Sequence, residues 1–406
     1  MSTGLLSQLE EYYAQVNETQ RPIRPDEVAA LAPPVRETTA ALSPRPRRAW
    51  LVAVAAAAAV LAIGLLSLTT GQTALEDAAS SQQSTPTGES ALEWTRVPID
   101  GAVFGGAEVI SVTVGGPGFV AVGSDGSDED GDAAVWTSPD GISWSRVPHD
   151  EAGLGGEGAQ RMTSVTAGGP GLVAVGSTEY YLDEYVSLSA AVWTSSDGIT
   201  WSRVPHSRPV FGGIPKGVGG TEMSSVTAGG SGMVAVGWWE YDSLEAAFVW
   251  TSPDGIAWSQ VPHDVGAFDS VSVRGITAGG AGFVAVGATE SDLVPGVWTS
   301  EDGIKWTRVR HDKDAFGTGA NELLSVASGA SELVAVGRFS EPMEPDSPGS
   351  DNLVDHPAVW TSTDGNQWIR NVLPGEGHMT SVTATASGYV AVGRGVGAPA
   401  IWFANK

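Results

Sequence analysis

Cysteine is absent from this chain of 406 residues. That excludes disulfides and thiolate metal sites, and it leaves the redox compartment open. Positive charge is scarce: 21 Lys and Arg stand against 47 Asp and Glu, a formal net charge of −26. Six basic and six acidic residues cancel within residues 1–69, so the whole excess belongs to residues 70–406. A surface of that sign repels nucleic acid phosphates and anionic lipid heads. It suits a solvated exterior, calcium or a basic polymer. Catalytic signatures are missing too. There is no Walker loop, no strand–GxGxxG–helix unit, no HExxH and no GxSxG.

One uninterrupted apolar run is present. Residues 50–68 read WLVAVAAAAAVLAIGLLSL without a charge, about the ~20 residues that span a bilayer as a helix. Arg45, Arg47 and Arg48 precede it. The positive-inside rule then puts residues 1–49 in the cytoplasm and the rest outside, in a single-pass cell-membrane protein. A cleaved signal peptide is the competing reading, but a polar segment of this length before its core would be unusual. Leu5, Leu9, Tyr12 and Val16 share a helical face in residues 4–18, a surface for a cytoplasmic partner. Residues 69–91, rich in Thr, Ser, Gln and acids, read as a flexible extracellular tether.

From residue 92 to 406 the chain repeats itself. WTSPDGISW begins at Trp136, and near-copies begin at Trp193, Trp250, Trp298 and Trp360. Each follows a VAVG strand, of which there are six: Val120–Gly123, Val173–Gly176, Val234–Gly237, Val284–Gly287, Val334–Gly337 and Val390–Gly393. A fixed period of this kind marks a repeat architecture. Each repeat supplies four short strand signals; in the first they are Val109–Val114, Phe119–Gly123, Ala133–Thr137 and Ser143–Pro148. The expected fold is all-β, a six-bladed propeller of four-stranded blades. The last repeat stops after its third strand, at Ile401-Trp402-Phe403. Glu93–Pro98 is an orphan fourth strand matching Trp144–Pro148. The N-terminal strand is therefore expected to complete the sixth blade and close the ring, removing the open sheet edges.

The turn Ser138-Pro139-Asp140-Gly141-Ile142-Ser143-Trp144 recurs as Asp197-Gly198, Asp254-Gly255, Asp302-Gly303 and Asp364-Gly365, with Trp201, Trp258, Trp306 and Trp368. It resembles the Asp-box hairpin of sialidase-like (BNR) propellers, S-x-D-x-G-x-x-W, although here Gly directly follows Asp. Locally, Asp can accept turn N–H groups, Gly permits positive φ and Trp fills space between blades. The resemblance implies a propeller, and it implies that these turns lie away from a substrate face. For an enzyme it implies an arginine cluster, a Tyr–Glu nucleophile pair and an acid. Arg161, Arg274, Arg338 and Arg394 lie outside the repeat pattern, but no motif fixes a Tyr–Glu pair.

Function is sought where the repeats disagree. His149, His206, His263 and His311 follow the fourth strand in four blades, so they cannot meet at one ion. The second-to-third and fourth-to-first connections vary, and in a propeller they share one face. Blade 2 carries Tyr180 and Tyr181 there; blade 3 carries Trp238 and Trp239, and aromatics beside carboxylates suit a carbohydrate or protein ligand. In blade 1, Asp128, Asp130 and Asp132 resemble the start of a calcium loop, without its closing Glu. The first residues of the inner strands, Glu108, Arg161, Glu222, Ser272, Glu322 and His378, should ring the mouth of the central channel, either as a binding site or as a network of mutual Arg–Glu pairs that plugs it. Arg338 and Arg394 face the same site. The reading is a membrane-anchored, non-catalytic binding module, a possible envelope sensor, with no required cofactor and calcium as an option. A sialidase-like exo-glycosidase is the alternative.

Overall fold

The computed structural model describes residues 92–97, 101–126, 131–182, 185–212, 219–230, 232–241, 244–262, 265–268, 271–280, 282–289, 294–317, 321–342, 353–396 and 398–405. The expected cytoplasmic tail, membrane span and tether lie outside them. Among the described residues no helix is long and apolar enough to cross a membrane.

Within these residues, six antiparallel four-stranded sheets form the blades of a propeller. β1 is Glu93–Val97. Blade 1 holds β2 (Glu108–Gly115), β3 (Gly118–Ser124), β4 (Ala133–Ser138) and β5 (Ser145–Arg146). Blade 2 holds β6 (Gln160–Gly168), β7 (Gly171–Leu182), β8 (Tyr185–Ser195) and β9 (Ser202–Arg203). Blade 3 holds β10 (Gly219–Gly229), β11 (Gly232–Tyr241), β12 (Leu244–Ser252) and β13 (Ser259–Gln260). Blade 4 holds β14 (Val271–Gly279), β15 (Gly282–Thr289), β16 (Pro295–Ser300) and β17 (Thr307–Arg308). Blade 5 holds β18 (Glu322–Ser328), β19 (Leu333–Pro342), β20 (Leu353–Ser362) and β21 (Ile369–Val372). Blade 6 holds β22 (Gly377–Thr385), β23 (Gly388–Gly395) and β24 (Ala398–Asn405). β1 pairs with β24, from Glu93 opposite Asn405 to Val97 opposite Ile401. The expected closure is the one observed.

The VAVG phrase explains the packing. Alternate strand residues face opposite sides of a sheet. Val120 and Val122 pack toward blade 2, against Met162, Val165 and Trp193. Ala121, between them, faces blade 6, beside Val390 and Val392. The core is thus divided into clusters at the blade junctions, large side chains on one face of each blade meeting small ones on the next. The glycine has a separate cause. A Cβ on Gly123 would run into the carbonyl oxygen of Glu108; Gly337 and Gly393 stand in the same relation to Glu322 and His378. A β-bulge in each inner strand, as between Val109 and Ser111, presses that carbonyl inward.

One expectation needs correction. In blades 1 to 4 the outermost strands are shorter than the sequence suggests. In blade 1 only Ser145–Val147 of Ser143–Pro148 bonds to β4, Val147 N–H donating to the Val135 carbonyl at 2.8 Å, because Ser143 and Trp144 belong to the turn and Pro148 has no N–H to donate. The variable fourth-to-first connections contain one-turn helices: α1 (Gly101–Phe104), α2 (Arg208–Phe211), α3 (Val265–Phe268) and α4 (Lys313–Phe316). Each ends on a Phe that is at most 3% exposed. The indole N–H of Trp136 donates to the Val103 carbonyl at 3.2 Å, and Trp250, Trp298 and Trp360 do the same to Val210, Ala267 and Ala315.

Candidate functional site

The inner strands β2, β6, β10, β14, β18 and β22 adjoin in that order and return to β2. Their first residues therefore lie at one end of the ring, the end that carries the variable connections. Register adds a second tier. Glu108 lies opposite Ser124, Arg161 opposite Ser177, Glu222 opposite Trp238, Ser272 opposite Ala288, Glu322 opposite Arg338 and His378 opposite Arg394. The second tier is the residue after each VAVG, which is why Arg338 and Arg394 meet the inner ring.

Most of these groups satisfy one another. Arg161 pairs with Glu108 across blades 1 and 2 at 3.1 Å. Glu222, 7% exposed, accepts from the Ser177 hydroxyl at 2.8 Å and the Trp238 indole at 3.2 Å. Arg338 bridges Glu322 at 2.9 Å and Asp355 at 3.0 Å. Asp355 also accepts from the Ser340 hydroxyl at 2.7 Å. The charge of its two carboxylates holds the Arg338 guanidinium above its ordinary pKa, against the opposing effect of burial.

Blade 6 differs. Arg394 is exposed, and among the described residues it makes no ion pair. Its neighbour His378 is half-buried. Burial, then the Arg338 guanidinium, pushes its pKa below the ordinary 6.5, with Arg394 adding to the effect while Asp355 and Glu322 oppose it. Its imidazole is neutral at neutral pH and offers one donor and one acceptor. Glu108, His378, Thr380 and Arg394 line a cavity of about 110 Å³ between blades 6 and 1, together with Gly106 and Pro399. The cavity matches a small polar or anionic group in size.

The aromatic residues separate. Trp238 is half-buried at the mouth, but Trp239 is 4% exposed and stacks on Phe248 with ring centres 6.0 Å apart. Trp239, expected among the ligand contacts, belongs to the core. Both residues lie inside β11, not in a loop, and strand alternation sends them to opposite faces. Tyr180 and Tyr181 likewise continue β7, opposite Ser187 and Val186; their side chains lie outside the description.

The acidic loop of blade 1 is described only in part. Asp128 and Asp130 lie outside the described residues. Asp132 lies 3.6 Å from the His149 imidazole, which is 3.2 Å from Glu151. Arg146 approaches Asp125 at 3.8 Å. On the opposite face, the repeated turns follow local hydrogen bonding. Asp140 Oδ1 accepts from the N–H of Ile142 at 2.8 Å and of Ser143 at 2.7 Å, Gly141 has φ 77°, and the Trp144 indole donates to the Gly141 carbonyl at 3.0 Å. Those carboxylates are occupied by backbone.

Sequence reasoning missed Asp355, Ser177 and Thr380. Asp355 enters because β20 runs antiparallel to β19, with Asp355 opposite Ser340. Ser177 follows VAVG in blade 2, the place held by Arg338 and Arg394, so aligning the repeats would have found it. Thr380 sits in the bulge of β22, where no sequence signal fixes its direction.

Sequence comparison matches no protein-family model and no curated relative. Solved structures of similar fold share little sequence. YjhT is 8% identical with a TM-score of 0.46, covering 76% of this chain and 95% of that one. YCF48 from Cyanidioschyzon merolae is 15% identical with a TM-score of 0.38, covering 76% and 98%. A sucrose-bound mutant of the Bombyx mori GH32 beta-fructofuranosidase BmSUC1 is 11% identical with a TM-score of 0.39, covering 69% of this chain and 64% of that one. This chain therefore spans just under two thirds of the silkworm protein. At such scores the likeness carries no functional argument, and the propeller stands on its own strand pairing.

Proposed function

We propose that the propeller is a ligand-binding head without catalytic chemistry, and that its ligand enters the channel mouth on the variable face. The observation that supports this is the contrast within the mouth. Glu108, Glu222 and Glu322 each hold a partner, whereas Arg394 faces the cavity between blades 6 and 1 without one among the described residues. A cation left exposed beside a cavity of this size suits a carbohydrate or protein ligand that presents a carboxylate or other anion. Neutral His378 supplies a second polar contact.

In this reading residues 50–68 anchor the chain in the cell membrane. The propeller then stands outside, joined by residues 69–91, and residues 4–18 meet a cytoplasmic partner. Such a layout would let the protein sense its envelope. The recurrent turn resembles that of the Asp-box propellers, short of one residue. The glycosidase alternative requires a free acid and a nucleophile at the mouth, whereas Glu108, Glu222, Glu322 and Asp355 are each engaged among the described residues. A glycan array probed with the full chain, run beside turnover assays on sialosides and other glycosides, separates the two. Binding without turnover is expected; turnover would overturn the reading.

A further inference from the structure

We propose that Asp132, His149 and Glu151 form a binding site for a borderline divalent metal ion of the Zn²⁺ type. It lies on blade 1, on the variable face, and does not depend on the ligand proposed for the channel mouth. One donor atom from each residue lies within 4.8 Å of the other two. The imidazole nitrogen is 3.6 Å from Asp132 and 3.2 Å from Glu151. A tetrahedral ion with bonds of about 2.0–2.1 Å sets its ligand atoms roughly 3.3 Å apart. Both measured edges lie within a few tenths of an ångström of that value. Three protein ligands would leave a fourth position for water.

The donor set chooses the metal. Calcium takes oxygen ligands, six to eight of them. An imidazole nitrogen with two carboxylates suits zinc and its neighbours better. The site thus revises the expectation of a calcium loop in this region: Asp132 is shared, and the histidine changes the ion.

The repeats supply an internal control. The histidine recurs at His206, His263 and His311, so on its own it is scaffold. Where blade 1 has Asp132 and Glu151, blade 2 has Ser189 and Arg208, blade 3 has Ala246 and Val265, and blade 4 has Val294 and Lys313. Of these four, only blade 1 has carboxylates at both places, and blades 2 and 4 put a cation at one of them. The backbone holds the donors in place. The Asp132 carbonyl accepts from Asp125 N–H at 2.9 Å as β4 begins. Glu151 sits in a turn closed by Leu154 N–H on the Asp150 carbonyl at 2.7 Å. An ion pair through a protonated His149 is the competing arrangement, and it takes up no metal.

The test is titration of the full chain with Zn²⁺ alone and with Ca²⁺ alone, against a chromophoric chelator. The expected result is one equivalent of Zn²⁺, bound at least tenfold more tightly than Ca²⁺. Asp132→Asn, His149→Gln and Glu151→Gln should each weaken it tenfold or more, while Glu301→Gln, on the opposite face, should not. Circular dichroism and the melting temperature confirm that each variant is folded. Absence of a saturable Zn²⁺ site overturns the proposal. So does Zn²⁺ binding that is unchanged in His149→Gln, because it would then be diffuse attraction to an acidic surface.

Discussion

The backbone N–H of Val165 donates to the hydroxyl of Ser111 at 3.2 Å, joining the inner strand of blade 2 to that of blade 1. Ser111 is the residue just past the bulge of β2. The same bond links Val226 to Ser164, Ile276 to Ser225, Val382 to Ser325 and Val112 to Ser381. It stitches the inner ring at five junctions. Where blade 4 meets blade 5 the serine is replaced by Gly275.

Ser164→Ala removes the acceptor and leaves the Val226 N–H buried at 4% residue exposure. Such an orphaned donor costs about 1–3 kcal/mol. Urea unfolding should show that loss in midpoint with an unchanged slope. A loss below about 0.5 kcal/mol would mean that water replaces the serine.

Gly275→Ser looks like a repair of the missing stitch. The geometry predicts the opposite. A Cβ at Gly275 would meet the Ser325 Cα at 2.8 Å, and backbone cannot yield as a side chain does. The substitution should destabilise by about 1–3 kcal/mol, the range for overpacking. A gain in stability would show that the junction between blades 4 and 5 is loose.

Acid should weaken the repeated turns. In Asp140, Asp197, Asp254, Asp302 and Asp364 two backbone N–H donors hold the carboxyl below its usual pKa. A carboxylate with a depressed folded pKa stabilises the fold fully above the unfolded value, near 3.9. That contribution disappears as pH falls through the folded value. Denaturation measured from pH 6 down to pH 2.5 should show falling stability below about pH 4, and Asp197→Asn with Asp254→Asn should flatten the fall. An unchanged slope would contradict the hydrogen-bonded assignment.

Arg338 carries two carboxylates. Arg338→Met should cost about 1–3 kcal/mol, below the 3–5 kcal/mol of a fully buried pair because solvent screens it. Adding Glu322→Gln should recover part of the loss, since it removes one of the two stranded charges. A double-mutant cycle measures the coupling; additive losses would mean the pair is not coupled.

The sequence carried much of this fold because its repeats compare themselves. The blade count, the closure by Glu93–Val97 and the local purpose of the Asp-Gly turns all follow from aligning copies. The helices α1 to α4 were hidden because their shared signal is one Phe in a variable segment. Trp239 was misread because extension of β11 past the VAVG phrase converts an apparent loop into a strand, where neighbours face opposite ways. The mouth was legible as positions and as a tendency of Arg and Glu to pair, but not as particular partners. Glu222 meets Ser177 and Trp238, and Arg338 meets Asp355, through register and blade contact that no single repeat contains.

The central claim is that recognition occurs at the mouth, where Arg394 faces the cavity between blades 6 and 1. Binding of the full chain to an array of neutral and anionic glycans measures it directly, with Arg394→Ala compared against Ile199→Ser on the opposite face. The account predicts that an anionic glycan is retained by the wild type, weakened at least tenfold by Arg394→Ala and unaffected by Ile199→Ser. Binding that survives Arg394→Ala but is lost in Ile199→Ser would place recognition on the face of the repeated turns and contradict it.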